Sequence, residues 1–159
     1  MSPLLRILAV LAAFFVPLGA AAQTLTPSGD AHVRGGSAAD NNYGGVVLLG
    51  VRTANNALNT YQSYLKFDTS GVSGQVISAK LRLLTALSSN GSVQTNLYAA
   101  PATWGETTIT WNNKPALGAQ LGSFTVANTG YVWFELDVTA HVQAELAQGA
   151  VGFALVNPA

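Results

Sequence analysis

An all-β sandwich, jelly-roll-like, is the fold this sequence predicts, and three observations predict it. Short apolar or alternating runs recur along the chain, separated by clusters of Gly, Asn, Ser and Pro, the pattern of many short strands joined by turns. Only one segment, near the C-terminus, has a helical spacing of apolar residues. There is no cysteine, so sheet packing rather than disulfides must hold the domain, even in a compartment that permits them.

The first residues stand apart from this pattern. Arg6 precedes an apolar run from Ile7 to Val16, and Ala20-Ala21-Ala22 supplies small residues before Gln23. That is the order of a secretory signal, 1–22, cut after Ala22. Pro17 and Gly19 break the apolar run, which is shorter than the ~20 residues a membrane-spanning helix needs. Residues 23–159 are then expected to form a single exported, soluble domain of 137 residues, with no membrane contact once the signal is removed.

The expected strands follow in order. Residues 30–34 alternate Ala31 and Val33 with His32 and Arg34, and 46–52 place Val47, Leu49 and Val51 on one side and Arg52 on the other. Residues 62–68 place Leu65 and Phe67 on one side, and 76–86 do the same with Ala79, Leu81 and Leu83. Further strands are expected at 94–100, at 107–112 through the β-branched run between Trp104 and Trp111, at 121–126, at 132–138 and at 150–156. Between the last two, 139–148 reads as one short helix, capped by Thr139 and ended by Gly149.

Charge is sparse but unevenly placed. Net charge is zero and only 9% of residues are charged, which excludes a broad nucleic-acid-binding surface. Residues 23–91 nevertheless carry five cations against three carboxylates, a net of +2, while 92–159 carry one cation against four carboxylates, a net of −3. Neighbouring side chains of a strand face opposite ways. If the apolar set of each strand faces the core, then His32, Arg34, Arg52, Tyr64, Lys66, Lys80 and Arg82 face outward. Were their strands neighbours, Arg34, Arg52, Lys66, Lys80 and Arg82 would form a basic sheet face with Tyr64 as a stacking ring. Such a face suits a carboxylated or sulfated sugar, because guanidinium forks match carboxylates and a phenol ring carries a pyranose face.

The ordered set Asp30-Ala-His-Val-Arg-Gly-Gly36, Asp40-Asn-Asn-Tyr-Gly44, Tyr64-Leu-Lys-Phe-Asp68, Ala79-Lys-Leu-Arg-Leu83, Trp104-Gly-Glu-Thr-Thr-Ile-Thr-Trp111-Asn-Asn-Lys-Pro115 and Trp133-Phe-Glu-Leu-Asp-Val-Thr139 resembles the DNRLRE domain, also classed as carbohydrate-binding module family 96. The resemblance runs from about Gly29 to Leu155. It implies a secreted, non-catalytic module that binds acidic polysaccharides such as alginate, in association with a polysaccharide lyase or hydrolase. It also implies a strand after 150–156, which this chain lacks because it stops at Asn157-Pro158-Ala159; truncation or supply from another chain would account for that. The alternative is a structural or adhesive extracellular module in which these residues are ordinary surface.

Other residues read more plainly. Trp104 and Trp111 are expected as core and loop packing, and Trp133 as an outward ring covered by a loop or the helix. Glu135 and Asp137, two apart on one strand face and so about 7 Å from each other, match the spacing of an inverting glycosidase pair. They lack the two walls that would flank a glycosidic bond. His32 and His141 have no Ser, Cys or His at triad or ligand spacing and are expected in solvent. The loop 35–44 offers oxygens, but without closely spaced carboxylates it is read as Asx turns. No metal, cofactor or catalytic residue is assigned.

Overall fold

The computed structural model describes residues 22–54 and 60–158; the expected signal at 1–22 lies outside the described residues apart from Ala22. Among the described residues seven strands form: β1 (Gly29–Arg34), β2 (Tyr61–Asp68), β3 (Lys80–Thr85), β4 (Val93–Ala100), β5 (Gln120–Val126), β6 (Val132–Asp137) and β7 (Ala150–Val156). The α-helix α1 (Thr139–Glu145) runs on into a 3₁₀ turn over Leu146–Gln148. Gly149 ends it with φ of 74°, the left-handed conformation that glycine adopts without a Cβ clash. Thr139 is the first helical residue rather than the cap. Its N–H donates to Asp137 Oδ1 at 2.9 Å, and its hydroxyl accepts from Ala79 N at 2.9 Å. Among the described residues no helix is long and apolar enough to cross a membrane.

All strand pairs are antiparallel. Five strands form one sheet in the order β1-β2-β7-β4-β5, and β3 and β6 form a second. The all-β sandwich is therefore the fold. Between the two sheets lies one apolar cluster: Leu65, Leu97, Val151, Phe153 and Leu155 from the large sheet meet Leu81 of β3 and Val138. Phe124 and Phe134 touch across it with ring centroids 4.7 Å apart. Each such side chain removed from water contributes about 1.5–3 kcal/mol before the entropy of ordering is counted.

The large sheet is buried on its other face as well. Ala31, Val33, Tyr64, Ala100 and Ala154 form a second cluster with Trp104 and Ile109, which belong to the chain segment 101–119 between β4 and β5. Small residues on β1 and β7 leave room for the Tyr64 ring, and the segment closes over it.

That segment is not the strand expected at 107–112. Ile109 N–H and Thr108 N–H both reach back to Gly105 O (2.8 and 3.1 Å), while Asn113 takes Thr110 N–H on Oδ1 and gives Nδ2–H to Thr108 O. These local bonds satisfy the backbone in turns, and they outweigh the strand preference of the β-branched residues. Nor is 46–52 a strand. Only Arg52 bridges Tyr61, Val47 is 97% exposed, and just Leu49 and Val51 reach the core. The 76–86 run pairs only from Lys80 to Thr85.

Candidate functional site

The six residues expected on one basic face separate into three places. The premise of that face was that the strands carrying them are neighbours. β1 and β2 are, but β3 pairs only with β6 in the other sheet.

Tyr64 is not a surface ring. It is 0% exposed, edge-on to Trp104 at 6.3 Å, and its hydroxyl donates to Pro115 O at 3.0 Å. Burial pushes the phenol well above its usual range. Alternation misled here because it assumes one covered face, and this strand has two. Lys66, on the same side of β2, is half-buried. Its ammonium sits 4.9 Å from the Trp104 ring centroid and donates to Trp104 O. It braces the covering segment.

Asn42 holds the same segment from the other side, giving Nδ2–H to both Glu106 O and Ile109 O at 2.7 Å. Its Oδ1 accepts Gly44 N–H at 3.2 Å, an Asx turn, and Asp40 Oδ1 accepts from Asn112 Nδ2 at 2.7 Å. Asp40 and Asn42 of the 35–44 loop thus clamp 105–112. A shallow depression of about 340 Å³ over this segment is lined by Pro101, Thr103, Trp104, Thr108, Ile109, Asn113 and Pro115, with no charged group among them.

Arg34 and Arg52 do come together, around a residue that sequence reading passed over. Tyr61 is the register partner of Arg34 in β1 and also bridges Arg52, through Arg52 N to Tyr61 O at 3.1 Å and Tyr61 N to Arg52 O at 2.7 Å. Residues directly opposed across antiparallel strands share a face. The two arginines therefore flank one phenol ring, and the Arg34 guanidinium carbon lies 5.1 Å from its centroid. Tyr61 has the parity of Leu65 and Phe67 but lies one residue before the strand expected at 62–68. It stands at the end of the strand, where the second layer no longer covers it completely.

His32 lies two residues before Arg34 on the same face, and it is buried rather than solvated. Its ring stacks on Tyr43 at 4.9 Å and lies 5.4 Å from Tyr61. Burial lowers its pKa, a hydrogen bond with the Leu48 backbone opposes that shift, and the charge of Arg34 adds to the lowering. A histidine depressed in the fold stabilises fully above its unfolded pKa of about 6.5 and loses that contribution as pH falls through the lower folded value. Urea midpoints of the wild type are accordingly expected to fall between pH 7.5 and pH 5 by more than those of His32→Gln; equal falls would refute this. His141 is also not free in solvent, since its Nε2 meets Gly152 O at 3.0 Å and its ring abuts Phe153 edge-on.

Lys80 and Arg82 are exposed, as expected, on the outer face of β3. Both reach Glu135 on β6: Lys80 Nζ at 3.2 Å and Arg82 Nε at 2.9 Å. Arg82 also lies over the Trp133 ring at 4.8 Å. Trp133 was expected under a loop or the helix, yet it is 56% exposed. Glu135 and Asp137 lie side by side on this open face. Asp137 is held below the usual carboxylate range by its hydrogen bonds to Thr139, the opposite of what a general acid requires.

Residues 21–159 match the family profile described as Carbohydrate-binding module family 96. The chain is also similar to a gellan lyase from a Bacillus species, at 34% identity over 93 residues. That alignment covers 54% of this chain but 4% of the enzyme, so the chain spans a small part of that relative's length.

Proposed function

The chain belongs to carbohydrate-binding module family 96, and from that premise we propose that it is a secreted, non-catalytic module that holds an acidic polysaccharide at the Arg34–Tyr61–Arg52 ladder. The observation that carries this reading is the ladder itself, two guanidinium groups placed by strand register on either side of one aromatic ring. Arg52 is exposed and forms no salt bridge among the described residues, whereas Lys80 and Arg82 share Glu135. Guanidinium forks take carboxylates two bonds at a time, and the ring offers the C–H face of a sugar an apolar partner. Similarity to a segment of a gellan lyase supports a role in holding polymer for a lyase or hydrolase, with gellan and alginate as the first polymers to try.

Exposed charge pairs contribute about 0.2–1 kcal/mol each, so the binding is weak and sensitive to salt. The Debye length falls from ~10 Å at 0.1 M to ~3 Å at 1 M. Affinity electrophoresis through alginate or gellan is expected to retard the wild type at low salt and not at 1 M. Arg34→Glu with Arg52→Glu is expected to weaken low-salt binding by about tenfold or more, since it replaces two attractions by two repulsions. Unchanged retardation of that folded double variant would overturn the reading. The exposed apolar tip Val46-Val47-Leu48 favours a second, adhesive reading, which would stand if no polymer retards the protein at either salt.

A further inference from the structure

We infer that the outer face of the β3–β6 sheet is a second carbohydrate site, one that takes a neutral glycan chain on Trp133. The inference rests on membership of the carbohydrate-binding family and not on the arginine ladder, which is borne by the other sheet.

Register builds this face. Leu84 lies opposite Trp133, Arg82 opposite Glu135 and Lys80 opposite Asp137, and all six side chains are exposed. Alternate residues of a strand are spaced by about 7 Å, so these three rows span about 14 Å of open sheet, room for a short run of sugar rings. At one end stands an apolar pair, Leu84 and Trp133, with exposed Tyr131 close by in the chain. At the other end, ammonium, guanidinium and carboxylate groups alternate.

Two features single out a neutral glycan. First, the charges balance. Two cations face two carboxylates, and Glu135 accepts from both Lys80 and Arg82. A polyanion gains little from such a face. The vicinal hydroxyls of a neutral sugar, each both donor and acceptor, find donors and acceptors fixed side by side. Second, the indole is already held. Arg82 lies over its ring and is itself anchored by Glu135, so less side-chain freedom is lost when a pyranose ring stacks on Trp133. The stacking surface is real area, because Trp133 is 56% exposed.

Hydroxyethyl cellulose, xyloglucan and galactomannan serve as neutral probes, with alginate as the acidic one. The wild type is expected to be retarded by at least one neutral polymer, to a similar degree at 0.05 M and 1 M salt. Trp133→Ala is expected to lower that affinity about tenfold, the loss of one aromatic stack, while leaving alginate retardation in place. Arg34→Glu with Arg52→Glu is expected to do the reverse. Arg82→Ala, which frees the indole without removing it, is expected to cost several-fold on the neutral polymer. Fluorescence gives a second readout. Trp104 is buried and Trp111 half-buried, so acrylamide quenching reports mainly Trp133, and a bound neutral polymer is expected to protect it. The inference falls if no neutral polymer retards the wild type, or if Trp133→Ala binds neutral polymer as well as the wild type does. Should Trp133→Ala abolish both neutral and acidic binding, this site stands and the arginine-ladder reading falls instead.

Discussion

Tyr64→Ala is expected to destabilise the domain by about 3–5 kcal/mol, a large share of the 5–15 kcal/mol that holds a typical domain folded. The ring is wholly buried and sits between Ala31 and Ala154 in the sheet register, under Trp104. Its alanine neighbours are too short to fill the space, so a cavity remains. The covering segment would lose its central support and the hydrogen bond to Pro115 O. Tyr64→Phe isolates that bond and is expected to cost about 1 kcal/mol. Alkali provides an independent check. Burial raises the phenol pKa, so the fold favours the neutral form. This contribution is complete below the unfolded pKa of about 10 and is lost as pH rises toward the folded value. The wild type is therefore expected to lose more stability above pH 10 than Tyr64→Phe does. Urea titrations at pH 7 and pH 10.5 measure both effects, and a Tyr64→Ala midpoint equal to that of the wild type would show that the ring is not a core element.

The same residue shows how far the sequence could be read. Alternation identified Leu81 and Leu83 as core and Lys80 and Arg82 as surface, because β3 has one covered face and one open face. On β1, β2 and β7 the rule had no valid answer, since both faces of the large sheet are covered. Tyr64 and His32 are buried on opposite faces of the same sheet. What covers Tyr64 is the Trp104–Pro115 stretch, the most distinctive part of the chain. Its β-branched residues suggested a strand, but turn bonds through Gly105 and Asn113 decide its path. Its dependence on Asn42, more than sixty residues away, leaves no local trace. The pairing of Arg34 with Arg52 was equally hidden. Each arginine was legible as an outward cation, but Tyr61 unites them through register, and register is a property of the assembled sheet.

Gly152 lies where that assembly is tightest, and Gly152→Val is expected to be among the most damaging single changes in the protein. β7 is the central strand of the large sheet, and Gly152 stands in register between Lys66 of β2 and Ala100 of β4. A Cβ here would fall 2.4 Å from Ala100 O and 3.1 Å from both C and O of Pro101. Those are backbone atoms at the point where the chain leaves β4 to cover Tyr64, so no side-chain rotation relieves the overlap. The cost is steric rather than conformational. Even alanine would push β4 from β7, and valine adds two methyl groups in the same gap. About 3 kcal/mol or more is expected, together with a near-UV circular dichroism change as Trp104 loses its packing. Gly45→Ala is the matched control. No atom lies within 4 Å of its added Cβ, and a change within about 0.5 kcal/mol is expected. If Gly152→Val melted with the wild type while the control behaved as stated, the covering segment would have to leave β4 by another path. The burial of Tyr64 beneath it would then lose its structural basis.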